Sequence, residues 1–364
     1  MTFNLRNLVL PFVLGIPTNA LLAAHLPASD VASASSAREV KYNGPLSIIL
    51  GTRVDYQREY QKSEFLDEPS GFKGNNLMIN IQGNITERFS YRYRQRISQT
   101  KSHSSFFDGT DFMWLQYNFN DRWDIRAGKV AHEFGNSEYQ RDPSEQYVLS
   151  DFWNYPPCYK FGINLGYNLS ANDRVVLQAA ESSFRTKDND TYMYSLSWYG
   201  HHNWFHNMYS VNVSEYRRGK FLYYLSFGNT IKLNKVQLNF DYMNRFSDKG
   251  SFWKDCTVRG EVMVRPNAHF NIIGLASYST NQTHDVGPLY LPYGSEITRF
   301  GGFVEYSPIP SQDKTLKIHA GYSYGYGKEG VNREVPSLHR HLMSVGVQWE
   351  MDIVALAKKI FNKD

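Results

Sequence analysis

The stretch RFSYRYRQRISQ, Arg88 to Gln99, places Arg92, Arg94 and Arg96 at alternate positions, with Arg88 in the same phase. Between them stand Phe89, Tyr91, Tyr93 and Ile97. Successive side chains of a β-strand point to opposite faces. A strand here therefore carries one cationic face, continued by Ser90 and Ser98, and one aromatic and aliphatic face. At helical spacing the same residues make no clean apolar stripe. The stretch reads as a strand that separates two very different surroundings.

The rest of the chain has the same character. Its 364 residues include 26 tyrosines and 23 phenylalanines, 15% of the chain is aromatic, and the mean hydropathy is −0.50. Aromatic residues recurring at alternate positions, with few Leu/Ala-rich amphipathic helices, make a β composition. The net charge of +4 is mild and spread out, without the basic cluster a nucleic-acid footprint needs. Two cysteines, Cys158 and Cys256, make neither a disulfide scaffold nor a zinc ligand set.

The N-terminus, MTFNLRNLVLPFVLGIPTNALLAA, has a basic start at Arg6, an apolar core from Leu8 to Ile16 and small residues from Ala20 to Ala24. Residues 1–24 read as a secretory signal peptide, and 25–44, rich in Ala and Ser, as a disordered linker. No later stretch reaches the roughly 18 apolar residues that a spanning helix needs.

From Pro45 to Met351 the sequence divides into sixteen alternating segments. Every second connection is a tight turn: NITERF, NFNDRW, NLSANDR, IKLNKVQ and RPNAHF, with the Asn, Asp and Pro that short hairpins use. The others, 61–74, 102–109, 131–158, 246–252, 280–295 and 327–337, are longer and polar. Connections 217–219 and 307–314 fit this alternation less well. Short turns at one end and long loops at the other describe an all-β fold: a transmembrane antiparallel β-barrel of about sixteen strands, with periplasmic turns and extracellular loops.

That frame places the arginines. A Lys or Arg facing lipid at mid-membrane costs about 2–4 kcal/mol, so three on one strand cost roughly 6–12. This rivals a domain's whole net stability of about 5–15 kcal/mol. The aromatic face must meet lipid and the arginines something wet. Charges about 6.7 Å apart repel by about 0.6 kcal/mol in water but about 2.5 at an effective dielectric of 20. The row is cheap only beside water and counter-anions, as in the lumen of a channel. Other strands repeat the division: Leu50 and Val54 against Arg53 and Asp55, Trp123 and Ile125 against Arg122, Asp124 and Arg126, Phe240 against Asp241, and Val258 and Val262 against Arg259 and Glu261.

The arginine strand and DFMWLQYNFNDRWDIRAGKVAHEFG, Asp111–Gly135, resemble the phosphate-selective porin O and P family in its Bacteroidetes-like branch. The family's D-W-x-L-R-x-G-K turn and strand falls here on Asp121, Trp123, Ile125, Arg126, Gly128 and Lys129, with Ile125 in place of leucine. The resemblance implies a sixteen-stranded barrel, commonly a trimer, that passes small anions, with residues 131–158 folded back into the pore. That loop carries Glu133, Glu138, Asp142, Glu145 and Asp151 against Arg141 alone. A phosphate filter needs cations there, so the loop departs from the family's selectivity. After the last strand, residues 352–364 make a periplasmic tail, either disordered or a short amphipathic helix on the inner leaflet.

Several signals look chemical without the context chemistry needs. GYSYG, Gly321–Gly325, matches a nucleophile elbow, but Ser323 sits in an alternating strand rather than at a strand-to-helix turn. His339 and His341 share a strand face, and HHNWFH places His201, His202 and His206 in a connection. Neither group has Cys, Asp or Glu at metal spacing, and surface or interface histidines are the simpler reading. Cys158 and Cys256 fall near the loop end in an exported protein, where disulfides persist. A bridge would need the long loop to cross the lumen and Cα atoms within about 7 Å.

The sequence thus leads to an expected bacterial outer-membrane porin, not an enzyme, needing no cofactor or metal. Small hydrophilic solutes would diffuse through it with a weak preference for anions, phosphate among the candidates. Arg88, Arg92, Arg94, Arg96, Arg122, Arg126 and Arg259 would attract anions, while Asp55, Asp124, Asp241 and Glu261 temper that preference. Its partners would be outer-membrane lipid, the solutes and two further copies in a homotrimer. The alternative is a non-conducting barrel for binding, adhesion or scaffolding, closed by the long loop with Trp153, Tyr155 and Tyr159.

Overall fold

The computed structural model describes residues 44–97, 106–154, 158–246, 253–283, 291–310, 316–328, 330 and 339–361. The signal-peptide assignment, the linker up to Asn43, Ser98, Tyr155 and residues 362–364 lie outside the described residues.

Strands β1 (Ser47–Gln61), β2 (Glu64–Asn84), β3 (Phe89–Arg96) and β4 (Thr110–Asn118) open the chain. They are followed by β5 (Trp123–Ala131), β6 (Tyr159–Asn168), β7 (Asp173–Glu181) and β8 (Tyr192–His202). The second half holds β9 (Phe205–Arg217), β10 (Lys220–Leu233), β11 (Val236–Phe246) and β12 (Asp255–Val264). Last come β13 (Phe270–Asn281), β14 (Ser295–Tyr306), β15 (Leu316–Lys328) and β16 (Arg340–Asp352). Each strand pairs antiparallel with its sequence neighbours, and β16 returns to β1 from Gln61↔Arg340 to Ile49↔Asp352, closing the barrel. Closure leaves no unpaired edge, which is what lets a sheet stand in lipid. Among the described residues no helix is long and apolar enough to cross a membrane.

The turn end is built by short polar side chains that cap their own backbone. Asn120 accepts hydrogen bonds from the N–H of Arg122 and Trp123 at 2.8 and 2.9 Å. Ser170 does the same for Asn172 and Asp173, and Asn267 for His269 and Phe270. These Asx- and Ser-type turns are what the tight connections encode.

Two connections differ from the sequence reading. Residues 61–74 are not a loop: β1 and β2 run on as hairpin arms, with register shifts at Arg53/Val54 and Gln57/Glu59. The turn is Lys62–Ser63, with φ of 49° and 72°. Positive φ at both centres is the two-residue hairpin geometry, here without the Asn-Gly signature that normally reveals it. Likewise HHNWFH is no open connection, because His201 and His202 end β8, His206 lies in β9, and only Asn203 and Trp204 turn between them.

The two faces separate as the alternation requires. Leu115, Trp123, Leu177, Tyr194, Trp198, Phe240, Phe300 and Val345 are exposed on the outer face. Arg94, Gln116, Arg126, Gln178, Ser197, Asn212, Asp241 and Arg259 are buried on the inner one. An apolar exterior around a polar interior inverts a soluble protein and is the pattern of a barrel in lipid. Ser323 lies in β15, as its alternation predicts. After β16 the chain forms a helix, Ile353–Phe361, whose first turn is capped by Asp352 Oδ1 accepting from the Ala355 N–H at 2.9 Å. Ile353, Leu356, Ile360 and Phe361 are exposed on it.

Candidate functional site: the inner wall and the inward loop

The chain between β5 and β6 turns into the barrel. Its first part lies flat on the wall: the Gly135 N–H donates to Ser210 Oγ at 2.8 Å, and Ser197 Oγ and Asn212 Nδ2 donate to the Glu133 carbonyl at 3.0 and 2.9 Å. A Cβ on Gly135 would stand 2.6 Å from the Tyr209 backbone, so only glycine permits this approach. Beyond it Phe134, Tyr139 and Phe152 form a buried knot with Met193, Leu222, Tyr224 and Met243 of β8, β10 and β11. Phe134 crosses Tyr139, Phe152 and Tyr224 edge-on at centroid distances of 4.9, 5.4 and 5.6 Å.

On its other side the loop meets charge. Arg94, almost wholly buried, binds Asp111 Oδ2 and Asp142 Oδ2 at 2.9 and 3.0 Å and Tyr159 Oη at 2.8 Å. Arg141 forks onto both carboxylate oxygens of Glu261. Arg299 Nη2 reaches Asp151 Oδ1 at 2.7 Å, Lys317 reaches Glu145 at 3.2 Å, and Arg259 lies 3.9 Å from Glu138. Glu138 also accepts from the Ser150 N–H and hydroxyl. Glu133 instead takes neutral donors, Asn164 Nδ2 at 2.7 Å and the Tyr199 hydroxyl. Four of the five loop acids that looked foreign to an anion pore, Glu138, Asp142, Glu145 and Asp151, are thus counter-ions for the wall. Buried charges of one sign are stable only beside the other, and wall and loop supply both.

The predicted residues divide accordingly. Arg92, Arg94, Arg96 and Arg126 are brought together on β3 and β5 and rest on aromatic platforms. Arg92 and Arg94 stand 4.4 and 4.5 Å over Phe112, and Arg126 4.5 Å over Trp114. Arg92 donates to Asn80 and Arg126 to Gln116, each at 3.0 Å, and Arg96 pairs with Asp111 at 2.7 Å. Arg259 faces Glu261 at 2.7 Å across the barrel from them. Arg88 and Arg122 sit in exposed turns beyond the strands and do not join this wall. Of the acids, Asp55 binds Arg53 and His319 at 2.7 and 2.8 Å, Asp124 binds Arg174 at 2.6 Å, and Asp241 accepts from the Ser137 N–H at 2.8 Å. Cys158 and Cys256 are free thiols. They stand six strands apart around the ring, and Cys256 points outward, alternating with the buried Asp255 and Thr257.

Some functional residues escaped the sequence reading. Asp111 is the extra residue of a bulge, since Arg94 pairs with Phe112 while Gln95 pairs with Thr110. A bulge turns a side chain to the face its position would not predict. Arg299, Glu305 and Lys317 lie on strands β14 and β15, where alternation would have found them, and Tyr147 lies in the loop. The motif glycine has a physical reason: Gly128 has φ +130°, and a Cβ there would fall on the Met113 carbonyl of β4.

Residues 47–203, from β1 to the end of β8 and including the inward loop, match the sequence model of the family described as phosphate-selective porin O and P. Over that stretch the chain is similar to that family. Solved structures agree in fold. An anion-selective porin from Comamonas acidovorans aligns with a TM-score of 0.60 at 7% identity, over 84% of this chain and 99% of that one. The outer membrane channel DcaP of Acinetobacter baumannii gives 0.57 at 11%, over 85% and 100%. OmpT of Vibrio cholerae in its trimer form gives 0.55 at 10%, over 84% and 100%. A search of curated proteins finds no match. At such identities the likeness is one of architecture, a closed outer-membrane barrel.

Proposed function

We propose that this porin lets small hydrophilic solutes diffuse passively across the bacterial outer membrane, with a weak preference for anions, and that it works as a homotrimer. The observation that carries the reading is the engagement of the loop acids by wall cations. A loop whose carboxylates were free would draw cations into the narrowest part of the lumen. Here Asp142, Glu145 and Asp151 spend their charge on Arg94, Lys317 and Arg299. Opposed, fixed charges present little net field to a passing ion, so selectivity stays weak. The arginines gathered on β3 and β5 tip it toward anions, and the acids of β11 and β12 oppose them across the lumen. Architecture shared with an anion-selective porin and with a trimeric barrel supports the same reading.

The reversal potential of the purified protein in a planar bilayer under a KCl gradient tests it. A chloride-directed potential, reduced when Arg92, Arg94 and Arg96 are replaced by glutamine, is expected. A potassium-directed potential would overturn the anion preference.

A second reading, a closed barrel serving in binding or scaffolding, draws on one observation. The knot of Phe134, Tyr139 and Phe152 packs the loop against β8, β10 and β11 inside the barrel. Absence of conductance in the same bilayer would favour it.

A further inference from the structure

His201 and His206 belong neither to the loop nor to the arginine wall. They oppose each other across the β8–β9 hairpin, at its turn end, and share the inward phase of Tyr199 and Met208, the next inward pair along the strands. Their Nδ1 atoms are 3.3 Å apart, with rings crossing at 88° and centroids 4.9 Å apart. Both side chains are partly exposed, so water reaches them.

A tetrahedral Zn²⁺ with nitrogen ligands at about 2.0–2.1 Å holds two of them about 3.3–3.4 Å apart. A hydrogen bond between two neutral imidazoles has a similar length, so the distance permits both. The setting favours the ion. The two rings stand on adjacent, directly paired strands of a closed sheet, and the His201 N–H also donates to the Asn172 carbonyl of the neighbouring β6–β7 turn at 2.8 Å. Rigid, preset donors bind a metal without the ordering cost a flexible loop would add. We propose that His201 Nδ1 and His206 Nδ1 form a two-imidazole site for a late first-row divalent cation, Zn²⁺ in the first instance, at the turn-end mouth of the lumen. Among the described residues no cluster of three or more His, Cys, Asp or Glu could hold a metal. Among the described residues two ligands are supplied, and water fills the remaining positions. His202 does not take part: it belongs to the opposite face and its Nε2 lies 3.2 Å from Asp173 Oδ1.

The experiment is calorimetric titration of the whole chelator-stripped porin in detergent with ZnCl₂, for the wild type and for H201A, H206A and H202A. One Zn²⁺ per chain is expected for the wild type and for H202A, with at least tenfold weaker binding in H201A and H206A. His206→Gln, which keeps a polar side chain, repeats the loss if an alanine variant does not fold. Titration with Co²⁺ adds a spectroscopic readout, since tetrahedral coordination by two imidazoles gives a strong visible absorption that H202A keeps and H206Q loses. No Zn²⁺ binding by the folded wild type, or wild-type affinity in H201A and H206Q, would overturn the proposal.

Discussion

The two sides of the inward loop are held by different physics. Against β8 to β11 the contact is close and mainly apolar: ring on ring, with the Gly135 backbone laid on β9 and Ser137 donating to Asp241. Against β1, β3, β12, β14 and β15 it is ionic. There Arg53 donates to the Ser144 and Gln146 carbonyls, and each of four loop charges, Arg141, Asp142, Glu145 and Asp151, meets an opposite charge on the wall. Apolar packing is insensitive to salt and fixes position. Of the ion pairs, those of Arg94, Glu261 and Asp151 are largely shielded from salt, while the pair of Glu145, its side chain 36% accessible, is open to screening. On the function proposed above, the apolar side sets the aperture and the ionic side the ion preference.

The largest effect should follow from emptying the apolar knot. Phe134→Ala removes a buried ring in contact with three others and should cost about 3–5 kcal/mol. The loop then loses its anchor, so single-channel conductance and current noise rise while the reversal potential hardly moves. Unchanged conductance together with an unchanged urea midpoint would mean that the ion pairs alone hold the loop, and the division drawn above would fail.

Arg94→Gln tests the other side. It leaves Asp142 without its wall cation, while Asp111 keeps Arg96 at 2.7 Å. Losing charge-assisted hydrogen bonds in a buried site should cost about 2–3 kcal/mol. The released carboxylate should also turn the reversal potential toward potassium. Stability loss with no change of selectivity would show that the arginine wall is structural only.

Much of this was legible in advance, because alternation is a local signal. The sixteen strands and the outward aromatics follow from period two with the turn residues Asn, Asp and Pro between them, and of the arginine row Arg92, Arg94 and Arg96 fall in β3 while Arg88 falls in the turn before it. The hairpin at Lys62–Ser63 was hidden because neither residue advertises positive φ. Asp111 was hidden by a bulge, which changes the phase after it without changing composition. The pairing of the loop was out of reach for another reason. Asp142 with Arg94 and Glu145 with Lys317 are 48 and 172 residues apart and meet only after the barrel closes and the loop turns in. An acidic loop read alone looks cation-selective, and the same loop beside its wall does not. The aromatic platforms were hidden as well, because composition alone sends aromatic rings to the lipid face. Phe112 and Trp114 are buried instead, on the side of β4 that carries Gln116.

The smallest effect is the sharpest check on the comparison. Glu145 is the most exposed loop carboxylate of the ionic side, its side chain 36% accessible, and Lys317 keeps Glu305 at 3.9 Å when Glu145 is neutralised. Glu145→Gln should therefore cost less than about 1 kcal/mol and leave conductance unchanged. Removing one partly screened negative charge should still move the reversal potential a few millivolts toward chloride at about 0.1 M salt, where the screening length is about 10 Å. At about 1 M, where it is about 3 Å, the shift should vanish. Phe134→Ala should show the reverse pattern, a change of conductance that persists at both salt concentrations. If Glu145→Gln instead altered conductance at high salt, the carboxylate would be shaping the aperture rather than its field, and the ionic side would share the positioning role assigned to the knot.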